Sequence, residues 1–435
     1  MTVETLIGSY LRRSTALSMN FGVEPLTRPA ASSASVLLYI HVPFCEWLCP
    51  FCTFHRARFD VDRARHYFAA LRSEIRRYHD LGFRFSSVFV GGGTPTVLPD
   101  ELIRTLDLTR SLGMDGEVSV ETNPNHLRPD ILAQLRAAGV DRLSVGVQSF
   151  DDELLKEMGR YEPYGSGQTI AQKLATVQGT FPTLNADLIF NFPHQSVESL
   201  RRDMDIVRDI GIDQVSCYPL MPANETRIAM GRNMGQVDFT REKSLYQVIR
   251  ETMQPTYRMS SAWSFVRNKS MIDEYISEYD EYLGIGSGSF SYLNGTMYST
   301  SFSITRYIER VARGQTGIVM QRNLAPREQL RYLFLVGLFS GTLSRDRLRT
   351  IRGPGARRTL WQLLLFFKAV GAVRRDGNLY RLTDRGLYLW VMMMREFLMG
   401  VNRFREQMRH HIKSERLLDL QEVTVPVESL ATRPP

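Results

Sequence analysis

Cysteine is scarce, with four in 435 residues, and nothing in the N-terminal stretch reads as a secretory signal. A disulfide-stapled secreted scaffold is therefore excluded. No apolar run reaches the roughly 18 residues of a membrane span, because the run 361–367 stops at Lys368 and the run 387–394 at Arg395. A soluble, cytoplasmic protein is expected. The glycine-rich GGGTP at 91–95 is not followed by Gly-Lys-Ser/Thr, so it is no P-loop. No strand–GxGxxG–helix arrangement with a downstream acid supports a dinucleotide site. The formal charge is +8, with arginine dense after residue 310. Lacking zinc-finger spacing, a basic-region heptad or an RNA-recognition aromatic motif, this charge reads as a solvated basic face, and no nucleic-acid partner is expected.

Three of the four cysteines sit together, Cys45, Cys49 and Cys52, in YIHVPFCEWLCPFCTF at 39–54. Thiolates are soft ligands that suit iron–sulfur clusters or zinc, and an electron-carrying cluster takes four of them. Three leave one iron of a four-iron cluster without a protein ligand, and an open iron is where chemistry can happen. A closed zinc site is the alternative, since His41 and His55 flank the run. The remote Cys217 lies in an apolar stretch and reads as a small buried hydrophobe.

A chain of this length exceeds one ordinary domain, so a catalytic unit with a smaller appended module is expected. From residue 36 onward, short β-branched runs at 36–41, 86–90, 117–121, 142–147, 184–190 and 213–218 alternate with helical periodicity at 64–79, 100–111, 130–138 and 196–210. That is the pattern of an α/β fold with a parallel sheet and helical crossovers. Asp130 and Ser196 stand where helix caps are expected. We divide the chain into a lead-in (1–35), a core (36–254), a core extension (255–324), a C-terminal winged-helix-like α+β module (325–414) and a disordered tail (415–435).

Loops after the C-terminal ends of parallel strands build the sites of such folds, and the remaining motifs fall there. Gly91, Gly92, Gly93 and Thr94 follow the second strand, where glycine lets backbone approach a ligand; a tight turn is the bland alternative. Glu121 closes the third strand as either a binding carboxylate or a solvated loop acid. Gln148 follows the fourth, and Asp187 lies on the apolar fifth, where an unpartnered carboxylate would be costly. Tyr39 opens the cysteine run, and tyrosine is also ordinary strand composition.

CxxxCxxC at 45–52 resembles the radical S-adenosylmethionine (SAM) signature, and its YIHVPFC context is similar to the branch typified by oxygen-independent coproporphyrinogen III oxidase. The resemblance implies a partial (β/α)6 TIM-like barrel with a [4Fe–4S] cluster on Cys45, Cys49 and Cys52. It implies SAM contacts at Tyr39, Gly92, Gly93, Thr94, Glu121, Gln148, Arg160 and Asp187, with further backbone contacts at Met221–Pro222 and a closing segment at 284–290. The chemistry implied is reductive cleavage of SAM to a 5′-deoxyadenosyl radical, with an electron donor such as flavodoxin or ferredoxin as partner.

Departures from the branch narrow the choice. The coproporphyrinogen dehydrogenase typically carries a cysteine two residues after the third, where this chain has Phe54, and the haem chaperones carry a His-Asn-x-x-Tyr-Trp motif where this chain reads SSAWSFVRNK at 260–269. The reading that remains resembles the class C radical SAM methyltransferases, which use two SAM molecules to methylate an sp2 carbon, with menaquinone C8 as best guess. A lipophilic acceptor and peripheral membrane contact would suit the aromatic, methionine and arginine mixture at 387–409, around Trp390, Phe397, Phe404, Arg395, Arg403 and Arg405, although Met392–Met394 packing inside the module is the plainer account. A porphyrin-directed radical SAM enzyme and a haem-binding chaperone are the alternatives. Tyr161, Glu162 and Tyr164, just past Arg160, are candidates by position for removing a final proton.

Overall fold

The computed structural model describes residues 19–21, 35–267 and 275–422. Six parallel strands form the centre, β2 (Ser35–Val42), β3 (Arg84–Gly92), β4 (Val118–Thr122), β5 (Arg142–Gln148), β6 (Thr183–Phe190) and β7 (Gln214–Pro219), each hydrogen-bonded to the next in chain order. Helices α1 (Val61–Asp80), α2 (Pro99–Ser111), α3 (Pro129–Ala137), α4 (Gly167–Val177) and α5 (Val197–Ile210) supply the crossovers. This is the partial βα barrel expected.

Period-two alternation explains why these segments are strands and what they enclose. Val36, Leu38, Ile40 and Val42 of β2, with Val88, Val90, Val118, Val120, Leu143 and Val145, join the main core under the helices. The opposite face is different. Leu37, Tyr39 and Phe89 form a second, smaller cluster, and the other strands present a polar row there. Arg142 donates to Ser119 and Gln214, Asn185 to Ser144 and Asp187, and Ser216 to Asn185. Burying such groups is tolerable only because they satisfy one another.

Helix α5 starts as expected, with Ser196 as N-cap accepting from the Ser199 amide. The cap assigned to Asp130 is corrected: Arg128 holds that position, because Pro129 fixes the first helical residue, and Asp130 lies in the first turn paired with Arg128.

The sheet extends well beyond the six strands. Past helix α6 (Glu242–Met253), β8 (Arg258–Met259) and β9 (Ser264–Val266) lie antiparallel beyond β7, and β10 (Tyr282–Ile285) runs parallel beside β2. From β10 the antiparallel strands β11 (Phe290–Leu293), β12 (Thr296–Thr300) and β13 (Ile318–Asn323) follow, with α7 (Ile304–Ala312) between the last two. β1 (Asn20–Phe21) pairs with β13 at the far edge, so the expected lead-in contributes a strand. The rest of that segment, 1–18 and 22–34, lies outside the described residues.

The C-terminal module runs α8 (Pro326–Phe339), β14 (Thr342–Ser344), α9 (Arg345–Thr350), α10 (Ala356–Ala369), the hairpin β15 (Val373–Asp376) and β16 (Leu379–Leu382), then α11 (Asp384–Glu422). This is the element order of a winged helix. Trp390 anchors it, packing on Phe334 and Phe367 and donating from Nε1 to the Leu335 carbonyl at 2.9 Å. Helix α11 continues to Glu422, so the first part of the expected tail is helical; residues 423–435 lie outside the described residues. Among the described residues no helix is long and apolar enough to cross a membrane.

Candidate active site

The cysteine loop leaves β2 at Pro43 and is closed at its base. Phe44 and Cys45 pair with Ala57 and Arg58, and the Phe59 amide donates to the Cys45 carbonyl at 2.9 Å. Cys45 and Cys49 are buried, Cys52 is partly buried, and all three thiols are free. Arg56 reaches back from the loop's end, its Nη2 donating to the Cys49 and Cys52 carbonyls at 2.6 and 3.0 Å. Burial, reinforced by Cys52, pushes the Cys45 thiol up to about 12, and burial raises Cys52 as well. Both thiols are therefore protonated in the metal-free chain, and binding a metal must release those protons.

The loops after β3, β4 and β5 meet this loop. Gly93 and Thr94 donate from their amides to the Val42 and Phe44 carbonyls. The glycines answer a packing requirement: a Cβ on Gly91 would lie 2.8 Å from the Glu121 carboxylate, one on Gly92 2.6 Å from the His41 ring, and one on Gly93 2.6 Å from the Phe44 carbonyl. Gly92 also sits at φ +115°. Its amide donates to Glu121 Oε2 at 2.9 Å, which seats the carboxylate beside the cysteine loop.

A hydrogen-bonded circuit links two of the thiols. Thr94 Oγ1 donates to Cys45 Sγ at 3.6 Å, and Asn123 Nδ2 donates to Thr94 Oγ1 at 2.8 Å. Arg160 then donates to Asn123 Oδ1 at 3.0 Å and, from its other nitrogen, to Cys49 Sγ at 3.4 Å. A short bond to the Gly146 carbonyl and stacking on Tyr164 at 4.1 Å fix the guanidinium further. Donors aimed at sulfur suit thiolate and cluster ligands.

Of the flanking histidines, His41 is hydrogen-bonded through both ring nitrogens and His55 through Nε2. Burial lowers His41 to about 4, so its ring is neutral. Its Nε2 faces the His55 carbonyl at 2.9 Å, an acceptor, so Nε2 carries the proton and Nδ1 accepts from the Tyr39 hydroxyl at 2.9 Å. His55 Nε2 meets Ser287, whose own proton goes to the Ser301 carbonyl. Among the described residues no three His, Cys, Asp or Glu side chains converge on a single ion. Three thiols on one loop suit a four-iron cube with one iron open.

Gln148 ends β5 at φ +75°, in the left-handed region unusual for a side-chain-bearing residue, where the register to β6 shifts. Asp187 faces the enclosed polar row, accepting from Ser144 at 2.7 Å and Asn185 at 2.8 Å. Cysteines, glycines, Thr94, Glu121 and Arg160 thus share the strands' C-terminal end, with Gln148 and Asp187 on the adjoining strands. The segment after β10 closes on the same region: a Cβ on Gly288 would lie 2.5 Å from the His55 ring. Tyr164 is buried against Arg160 and Glu162 is exposed, so the structure gives neither a proton-transfer geometry. Cys217 is buried against Met204, as its apolar stretch implied.

Sequence reasoning passed over Arg56 and Asn123. A polar residue two positions past Glu121 at a strand end was the available signal for Asn123.

The quinone surface at 387–409 is corrected. Trp390 and Met392–Met394 are buried, and Arg395 is spent on a buried ion pair with Glu242 and Glu396. Phe404 packs on Phe302 and Phe290. Further along α11, Arg405 lies over Phe54 at 5.2 Å and Arg409 donates to the Phe54 carbonyl, so this helix returns to the cysteine loop.

A partial parallel barrel with three cysteines on the loop after its first strand is the arrangement with which the comparisons agree. Residues 39–228 match the model of the Radical SAM superfamily. The chain is 28% identical over 382 residues to anaerobilin synthase of Escherichia coli O157:H7, covering 84% of each. It is 27% identical over 315 residues to heme chaperone HemW of Bacillus subtilis, covering 69% of this chain and 82% of that protein. The structure of coproporphyrinogen III oxidase (HemN) from Escherichia coli superposes with a TM-score of 0.68 at 24% identity, over 85% of this chain and 90% of that one, which shows the shared fold. The similarity therefore lies with the coproporphyrinogen-oxidase-like branch. The match implies a [4Fe–4S] cluster and SAM, and the donor set fits them: three thiols on one loop, two of them facing hydrogen-bond donors, with a carboxylate beside a glycine turn.

Proposed function

We propose that this chain is a radical SAM enzyme acting on a cyclic tetrapyrrole, a porphyrinogen or haem. The supporting observation is that its similarity to anaerobilin synthase covers 84% of both chains, more than the barrel alone, while the HemW relatives carry haem in their name. The methyltransferase reading has less behind it. The relatives reported are a synthase, a chaperone and an oxidase, and the residues that suited a quinone are buried.

When bound, the cluster and SAM supply reductive cleavage of a carbon–sulfur bond, with electrons from an external donor of the flavodoxin or ferredoxin type. The chain's own contribution is positional. Cys45, Cys49 and Cys52 would hold the cluster, Thr94 and Arg160 donate to the sulfurs of Cys45 and Cys49, and Glu121 would suit the cationic end of SAM. Gln148 and Asp187 face the same space from β5 and β6. Arg405, whose charge bears on Tyr39, His41, Cys52 and His55, brings a cation to the mouth, suited to a carboxylate-bearing ring.

The test is anaerobic turnover with SAM and a reductant, offering coproporphyrinogen III, haem and menaquinone separately and following products by mass spectrometry. A modified tetrapyrrole with 5′-deoxyadenosine supports the proposal. Methylated menaquinone with S-adenosylhomocysteine would restore the methyltransferase, and stoichiometric haem binding without turnover would make the chain a chaperone.

A further inference from the structure

The positive charge of this chain is concentrated. Residues 347–375 contain eight basic residues and no acidic one, which equals the formal +8 of the whole sequence. Helix α10 lies at the centre of this stretch, and its buried side, Ala356, Thr359 and Phe367, packs into the module. Its outer side holds Trp361, Leu365 and Phe366, exposed at 64%, 54% and 44%. At 100° per residue, Trp361 and Leu365 sit mid-face, Arg357 and Lys368 border one side, Arg358 lies between Leu365 and Gln362, and Phe366 borders the other. Among the described residues no carboxylate pairs with Arg357 or Arg358. Beside the helix, the exposed Arg374 and Arg375 of β15 add to the same field.

We infer that this face of α10 is a docking surface for an anionic lipid bilayer. The occupant follows from two features together. Three large apolar side chains, one of them tryptophan, on a helix with a cationic border match a helix lying in the plane of a membrane interface. Clustered cations are attracted to anionic headgroups. A nucleic-acid backbone complements the arginines but offers nothing to Leu365 and Phe366. The active site is not involved, so this inference stands independently of the substrate.

The full chain should co-sediment with vesicles of phosphatidylcholine containing phosphatidylglycerol, less so as salt rises, and not with phosphatidylcholine alone. Trp361→Ser with Leu365→Gln, and separately Arg357→Glu with Arg358→Glu, should each weaken this binding about tenfold or more. All four positions are exposed, so circular dichroism and the melting temperature should stay unchanged. A blue shift of tryptophan emission on vesicle addition should vanish in Trp361→Phe, which retains binding. The inference is overturned if mixed and neutral vesicles bind alike, or if neither pair of substitutions changes binding. It is equally overturned if duplex DNA is bound and vesicles are not, or if Leu365→Gln instead dissolves a dimer.

Discussion

Arg160 donates from Nη1 to Cys49 Sγ across 3.4 Å, placing a buried guanidinium against a candidate cluster ligand. Asn123 holds the same guanidinium and, through Thr94, reaches Cys45, so two ligands from one loop are oriented by residues from three others.

Hydrogen bonds to sulfur raise the reduction potential of an iron–sulfur cluster. Arg160→Met should therefore leave a cluster bound but shift its potential more negative, by roughly tens of millivolts. Asn123→Ala should move it the same way by less. Potentiometric titration followed by spin resonance checks both, and an unchanged potential in Arg160→Met would contradict the contact.

Gly92 cannot be enlarged. At φ +115° an alanine is strained, and its methyl would lie 2.6 Å from the His41 ring. Gly92→Ala should cost about 2 kcal/mol or more and reduce cluster incorporation, whereas Gly82→Ala, at φ +97° with nothing within 4 Å, pays only the backbone strain. Denaturant midpoints and iron content of the two variants give the comparison.

The barrel was legible in the sequence because six short β-branched runs, the first at 36–41, alternate with stretches of helical periodicity. The cysteine spacing and the strand-end motifs pointed to the candidate site. Arg56 and Asn123 were not legible, because a single arginine or asparagine has meaning only once the loop it grips is folded. The strands around β10 to β13 escaped for a related reason: they are short, and β10 finds its parallel partner in β2 through a contact some 240 positions away. The mixture at 387–409 misled, since a helix apolar on several sides signals burial as readily as a ligand surface, and Trp390 and Arg395 proved interior.

Arg395 and Glu242 form a buried ion pair that ties α11 to the helix at Glu242–Met253. Arg395→Ala leaves a carboxylate buried without its cation and should cost about 3–5 kcal/mol. Replacing the whole group, Arg395→Met with Glu242→Leu and Glu396→Gln, should recover most of that loss. Denaturant unfolding of the two measures it; equal destabilisation would show that the charge is not the cause.

Asp203 accepts from the Ser149 hydroxyl and the Phe150 amide, yet burial raises it to about 7. The folded state then holds this proton more tightly than the unfolded chain. Its stabilising effect is complete below pH 3.8 and is lost as pH rises to about 7, on the order of 4 kcal/mol in total. Asp203→Asn should flatten the slope of stability against pH between these values, read from urea midpoints.

The central claim is that Cys45, Cys49 and Cys52 hold a four-iron cluster with one iron open to SAM. Spin resonance of anaerobically reconstituted, reduced protein, recorded with and without SAM, addresses it most directly. A [4Fe–4S] signal that changes on adding SAM, and is absent in Cys49→Ala, is the predicted result. A signal indifferent to SAM, or one retained when Cys49 is removed, would contradict it.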